Sequence, residues 1–529
     1  MKLSAHAPSA LTLAVIYLLI SLAALGRPYI PIDETRYISV AWEMWQQHQF
    51  LVPHMNGTPY SDKPPLLFWL IHLGWTLFGV NDAWPKLISP LAALLAQLHL
   101  FRIARRLGGS EYAWQASLVL AAMLLWITFS GVLMFDVLLT ACVLGAIAPL
   151  VSSDSLPARN QWLRAGVWLG LALLAKGPTA LVAWGVILLS TPYWRGQVSL
   201  AWWRGACLAL GLALLMLLVW ALPAAWLGGE AFARQLLWGQ TADRLVQAMD
   251  HARPWYWYLV WLPVLLFPIW TWPPLWPRCG PNERRHRLVW CWALGTLGVF
   301  MLVSGKQLHY LMPLLPALAL LGARGLNAGD APPPRLWGFA MGWGLLAMAG
   351  LLLGIAGRPP LRDGIDPVGA LLLLTLAIGS LYLRLRSTMA MLRALVLFNV
   401  LAWVVTVHVM LGPLWNAYDV SAPARVIADW QGAGRAVAID MDYQATFGFA
   451  GRLTAPLQEI DEENIPVWSE HHPEGLIVTT ARKASVIPVD AQAFRYRGRW
   501  LILREARRYL DASPAAGTEE PDGAVTVPP

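Results

Sequence analysis

In a very apolar chain, residues 31–69 gather side chains able to do chemistry: the acids Asp33 and Glu34, the cation Arg36, and the pair Asp62-Lys63 directly before Pro64-Pro65. A carboxylate can take a proton from an incoming group or orient it, and lysine and arginine can steady a departing anion. Each residue also has a plainer role. Asp33 alone reads as a helix N-cap, and Lys63 alone as a cation snorkelling to lipid headgroups. Two acids and two cations beside one membrane face shift the weight toward a site. A second polar region, 223–256, carries Arg234, Asp243, Arg244, His251 and Arg253, and isolated lysines stand at Lys176 and Lys306. Asp136 falls near the outer end of an apolar run, where an exposed helix end explains it as well as function does.

The elements that must position these groups follow from periodicity. Tyr37, Val40, Ala41, Met44 and Trp45 recur at helical spacing with polar residues between them, as in a helix lying in a membrane surface with Asp33 at or before its first turn. Pro64 to Phe78, ending at Gly79, is a second apolar segment, short for a span and placed in the interface. The 529 residues are 57% hydrophobic and 13% charged, and 31 are tryptophans, a composition that excludes an ordinary soluble protein and fits many membrane–water boundaries. The net charge of +8 comes largely from arginines between apolar runs and calls for no nucleic acid. Cys142, Cys207, Cys279 and Cys291 lack metal spacing and read as core thiols.

Leu11–Leu25 reads as a retained first span, and further runs lie at about 86–107, 112–130, 132–151, 205–222, 257–277, 288–304, 308–323, 336–356, 367–383 and 391–411. Between them Lys176-Gly177-Pro178 breaks a long tract into two short spans. The total is about thirteen. With the N-terminus cytoplasmic, Arg102, Arg105 and Arg106 share a side with the arginines at 278–287, 324–335 and 384–393. The 31–69 loop, Lys176, the 223–256 loop, Lys306 and the C-terminal region then lie outside. From Gly412 the runs RAVAIDMDY, GLIVTTA and RWLILREA are strand-like, so 412–510 reads as a small external α/β domain after a transmembrane domain over 1–411 with external loops 27–85 and 223–256. Residues 511–529 read as a disordered tail.

The order D-E-x-R-Y followed by P-H-x-N-G-x-x-Y-x-D-K-P-P-L-x-x-W resembles the first external loop of lipid-carrier-dependent glycosyltransferases. These are GT-C superfamily members of the protein-mannosyltransferase and aminoarabinose-transferase type. The matching residues include Asp33, Glu34, Arg36, Tyr37, His54, Asn56, Gly57, Tyr60, Asp62, Lys63 and Trp69. The resemblance covers roughly 10–325 and implies an all-α polytopic fold with a small C-terminal α/β external domain. The implied activity is transfer of a sugar from an undecaprenyl phosphate carrier to lipid A, another envelope glycan or a protein. A bacterial inner-membrane location with a periplasmic site goes with it.

On that resemblance Asp33 acts as base or acceptor-orienting group and Lys63 contacts the phosphate. Glu34, Arg36, Tyr37, Tyr60, Lys176, Arg244, Arg253, Lys306 and Tyr310 are substrate-binding candidates, with Glu34 weighted toward pairing or capping. Relatives of the aminoarabinose branch imply a divalent metal, zinc or magnesium, on Asp33, Asp62 and His251. The Ser-Asp-Lys-Pro here departs from the usual Phe-Glu-Lys-Pro and counts against both the metal and that sugar. A transporter or flippase of a lipid-linked substrate is the alternative class. Charges gathered at one face rather than at the bilayer midplane, with no internal repeat, argue against it.

Overall fold

The computed structural model describes residues 7–151, 156–196, 198–239, 252–271, 284–327, 336–357, 362–385 and 387–510. The chain divides into two compact units, one up to Asp419 and one from Val420.

The first unit is helical. Six of its helices are long and apolar enough to cross a membrane, and a seventh span arises if one bent pair is counted. This is a multi-pass membrane architecture; the described helices reach neither the expected thirteen nor its boundaries. Helix α1 (Ala7–Leu25) carries no charge and leaves Leu11, Leu18 and Leu22 bare on its outer face while burying Ile16, Tyr17 and Ile20. Leucines exposed around a helix with no polar face mark contact with lipid rather than water. Helices α2 (Asp33–Gln46) and α3 (Leu66–Phe78) form the expected pair in the first loop. Between them the strands β1 (His54–Met55) and β2 (Thr58–Pro59) make a tight antiparallel hairpin. Its Asn56-Gly57 corner has both φ angles positive, the conformation such a two-residue turn needs.

Helix α4 (Ala83–Ala122) is two helical stretches, the expected run 86–107 and the first part of the expected run 112–130. It breaks at Gly109, whose φ of 86° lies outside the helical region, just after Arg102, Arg105 and Arg106. Helices α5 (Leu124–Ser130) and α6 (Phe135–Ile147) meet at a bend of 110° across residues 131–134. Helix α7 (Arg159–Lys176) stops where expected: Gly177 has φ 63°, a 3-10 turn follows, and α8 (Ala180–Leu189) resumes the tract. The expected span 308–323 is instead a 3-10 turn, Leu308–Leu314, leading into the helix Leu315–Asn327. Pro313 and Pro316 each remove an amide donor, which disfavours a continuous helix there. The region expected to span 257–277 likewise consists of short turns, Trp257–Val260 and Leu262–Leu265, as far as it is described. Cys142 is buried as expected, whereas Cys207 is exposed on an apolar helix and Cys291 is half-buried; Cys279 lies outside the described residues.

The second unit is a five-stranded sheet in the order β4-β3-β5-β7-β6. Strand β3 (Val437–Ile439) pairs in parallel with β4 (Gln458–Glu459) and β5 (Leu476–Ala481), and β7 (Arg499–Glu505) runs antiparallel to β5 and to β6 (Gln492–Tyr496). Ile439, Val478, Leu501 and Phe447 pack with Ala424 and Ile427 of the helix Ser421–Gly432. The alternate residues Ala438 and Ile477 pack against Ile465 and Trp468 of the helix Ile465–His471. Both faces are covered, which is why β3 and β5 read as continuous apolar runs. Strands β4 and β6 escaped the sequence reading because β4 has two residues and β6 is half polar.

Candidate active site

Asp33 opens α2 but does not cap it: Ile32 holds the N-cap position and makes no side-chain cap. The Asp33 side chain is 43% exposed, and its Oδ1 accepts from Arg36 Nη2 at 2.5 Å and from Tyr37 Oη at 3.2 Å. These partners stand three and four residues on, one helical turn away, which is what the Asp-x-x-Arg-Tyr spacing permits. Tyr37 is buried and meets Phe135 edge to face, with ring centres 4.9 Å apart. Burial works against the Arg36 charge, but Tyr60, Tyr37 and Asp33 around it outweigh that and raise it further above its ordinary value. Burial also drives both phenols well up, so Tyr37 and Tyr60 are neutral hydroxyls throughout the physiological range.

Tyr60 reaches this spot from the hairpin. Its amide donates to the Pro53 carbonyl at 2.7 Å, and Gly57 N–H donates to Glu43 of α2 at 2.8 Å, so the turn is pinned to the helix. The Tyr60 side chain is buried, its hydroxyl has no hydrogen-bond partner among the described residues, and it lies within electrostatic reach of Arg36, Asp62 and Asp33. A buried hydroxyl without a partner is costly unless something arrives to use it. Asp62 itself is exposed and Lys63 half-buried.

Glu34 faces the other way. It is buried against Arg27 in a two-pronged pair at 2.5 and 2.8 Å, and it also accepts from Ile30 N–H at 2.7 Å and Leu133 N–H at 2.6 Å. Arg27 completes the set by donating to the Gly131 carbonyl at 2.6 Å. Both Glu34 oxygens are therefore taken up within the protein. The substrate contact expected of Glu34 gives way to its other expected role, pairing: it ties the end of α1 and the start of α2 to the bend between α5 and α6.

That bend delivers Asp136 into the first turn of α6. Of the two roles open to Asp136, the exposed helix end does not hold: Asp136 is buried. Its Oδ1 meets Lys176 Nζ at 2.5 Å, and its Oδ2 lies 4.0 Å from His309 Nε2. A carboxylate at a helix start and an ammonium at a helix end are each favoured by the helix dipole, and the Gly177 break lets Lys176 turn inward. The Lys176 ammonium also sits 4.5 Å from the centre of the Tyr310 ring. His309 is wedged between the rings of Phe129 and Tyr310, at 5.5 and 4.8 Å, within electrostatic reach of Asp33 and Lys63 as well as Asp136 and Lys176. Burial pushes this imidazole, in a turn outside the long apolar helices, down to about 4. Four charged residues from four separate segments thus act electrostatically on one histidine.

Other expected members behave differently. Lys306 is buried, with its ammonium donating to the Val303, Ser304 and Arg253 carbonyls; it closes the end of the helix Arg284–Leu302 rather than presenting a free cation. Arg253 is exposed, its amide bonded to the Ser304 carbonyl at 3.2 Å. Arg244 and His251 lie outside the described residues, as do Asp243 and the tail 511–529. For the metal, Asp33 is already engaged by Arg36 and Tyr37, His251 is not among the described residues, and no trio of potential ligands among the described residues is arranged to hold an ion. Sequence reading missed Arg27 and His309; His309 carried one signal, its place directly before Tyr310.

Residues 62–222 match the family described as dolichyl-phosphate-mannose-protein mannosyltransferase. The undecaprenyl phosphate-alpha-4-amino-4-deoxy-L-arabinose arabinosyl transferase 1 of Sodalis glossinidius is 29% identical over 367 residues, covering 66% of this chain and 65% of that one. The corresponding protein of Pseudomonas aeruginosa is 32% identical over 352 residues, covering 61% of each. The match thus spans a little under two thirds of the length of these relatives. In three dimensions the crystal structure of ArnT from Cupriavidus metallidurans bound to undecaprenyl phosphate aligns with a TM-score of 0.74 at 20% identity, over 94% of this chain and 98% of that one. The chain is thus similar in sequence to these transferases over part of its length, and it shares the fold of that crystal structure. The fold likeness runs through both units, well beyond the segment where sequence similarity is strongest.

Proposed function

We propose that this protein transfers a sugar from a polyprenyl phosphate carrier, undecaprenyl phosphate in bacteria, to an acceptor outside the membrane such as lipid A, another envelope glycan or a protein. The observation that carries this reading is the buried cluster of Asp136, Lys176 and His309, drawn from three separate segments, with Asp33 and Lys63 of the first loop within electrostatic reach of it. Asp33, half exposed and steadied by Arg36 and Tyr37, orients the acceptor or takes its proton. Lys63 and Arg36 steady the departing phosphate, with the neutral Tyr60 hydroxyl as a further donor. Direct displacement by the acceptor inverts the anomeric carbon. The Pseudomonas and Sodalis relatives, named for aminoarabinose transfer from undecaprenyl phosphate, support the carrier class.

The same reading includes about thirteen spans, a cytoplasmic N-terminus and a periplasmic site, supported by the arginine distribution. A transporter is the poorer fit, since these charges sit at helix ends and turns around a surface loop. Purified protein given donor and acceptor should release free polyprenyl phosphate; a transporter would release none. Comparing envelope lipids and proteins of a deletion strain with its complemented parent by mass spectrometry should show a difference of one sugar, identifying sugar and acceptor together. The divalent metal that the resemblance implies on Asp33, Asp62 and His251 is tested by chelation: loss of turnover with recovery on adding zinc or magnesium supports it, and turnover unchanged by chelator removes it.

A further inference from the structure

Transfer from a phosphodiester carrier has a charge balance that the site must meet. The bond between the anomeric carbon and the phosphate oxygen breaks, and its electron pair stays on that oxygen. A phosphodiester with one negative charge becomes a phosphomonoester able to carry two. The acceptor hydroxyl oxygen bonds to the anomeric carbon and gives up its proton. One more negative charge and one free proton therefore appear together.

Around this site the acids Asp33, Asp62 and Asp136 match the cations Arg36, Lys63 and Lys176, three against three. Asp136 and Lys176 are locked to each other at 2.5 Å, and Arg36 to Asp33 at the same distance. Among the described residues these six charges sum to zero, with no cation among them in excess for a second phosphate charge. The group that can supply one is His309, with Nε2 4.0 Å from the Asp136 oxygen not used by Lys176, and its ring held by Phe129 of α5 and by Tyr310. Every charged group that faces it comes from another element: Asp136 of α6 and Asp33 of α2 favour its cation, Lys176 of α7 and Lys63 of the hairpin loop oppose it. Burial adds to the opposition, so the imidazole is neutral and ready to accept in the empty site.

We propose that His309 takes up the proton that the transfer releases and holds it, as an imidazolium beside Asp136, while the carrier phosphate is bound. This rests on the polyprenyl phosphate reading given above. In this role His309 is a proton-holding group that tunes the site; it need not touch the sugar. Because the empty-site imidazole titrates near 4 and an arriving phosphate raises it, uptake belongs to the window above 4 and fades as pH rises past the raised value.

The test uses the full-length protein in detergent and undecaprenyl phosphate itself as probe. Binding is measured calorimetrically in buffers of different ionisation heat, at about pH 6 and about pH 8, which yields the protons taken up per phosphate bound. The wild-type protein should take up more than His309→Gln at the lower pH, by up to about one proton, and the excess should shrink at the higher pH. Asp136→Asn keeps the imidazole but removes its supporting charge, and should take up less than wild type; it serves as the reading if His309→Gln does not fold. Equal uptake by wild type and the folded variants overturns the proposal. Failure of the wild-type protein to bind undecaprenyl phosphate at all overturns the carrier reading beneath it, a result readily told apart from binding without the excess proton.

Discussion

Asp33 and Glu34 are neighbours in sequence and opposites in fate. The Arg27–Glu34 pair is closed off from solvent, with side-chain exposures of 3% and 1%; the Arg36–Asp33 pair is open, at 19% and 43%. Successive residues on a helix point about 100° apart, so Asp33 turns out while Glu34, the next, turns to the packed bend of α5 and α6. The inward acid has each oxygen bonded by the protein and holds three chain segments together. The outward one keeps room for a reacting group. One half of this motif is sealed scaffold and the other is open, and composition does not say which half is which.

The comparison can be broken most directly at Asp33. Asp33→Asn should lower transfer by roughly 10²–10⁴-fold, the range for loss of a general base, with thermal unfolding close to wild type. Turnover within a few-fold of wild type would remove Asp33 from the chemistry. Glu34→Ala should show the reverse pattern, a loss of about 3–5 kcal/mol of stability from the stranded Arg27 charge. Arg27→Met combined with Glu34→Leu should recover much of that loss, because it removes both charges; strict additivity in a thermal-melt cycle would mean the two do not act as a pair.

Tyr60→Phe sharpens the contrast within the open half. Its hydroxyl has no partner among the described residues, so stability should hold or rise slightly, while affinity for undecaprenyl phosphate falls by about 1 kcal/mol, the worth of one hydrogen bond. Unchanged affinity with lower stability would make Tyr60 part of the scaffold. The smallest effect is expected at Lys306. Lys306→Met removes three contacts to carbonyls and should cost about 1–2 kcal/mol of stability with no change in affinity for the carrier; a loss of affinity alone would return Lys306 to the site.

Much of this was legible beforehand where local rules govern. Helix α2, the Asn56-Gly57 turn, the stop at Lys176-Gly177-Pro178 and strands β3, β5 and β7 each carry their signal within a few residues. Asp33, Lys63 and Lys176 likewise stood out by type and surroundings, and Tyr310 by the family resemblance. Span boundaries were harder: the expected run 112–130 is interrupted at Met123, and 308–323 opens in a 3-10 turn, because apolar runs do not record where a helix bends.

By itself the sequence determined that this chain is a multi-pass membrane protein with a charged first loop and a small α/β unit behind it, since hydropathy, turn residues and alternation act over a few residues at a time. Tertiary structure alone decided that Glu34 would be sealed, that Asp136 would be buried against Lys176, and that His309 would sit among charges from four segments. Those outcomes depend on long-range contacts, where the cost of burying a charge is met only by a partner folded in from elsewhere in the chain.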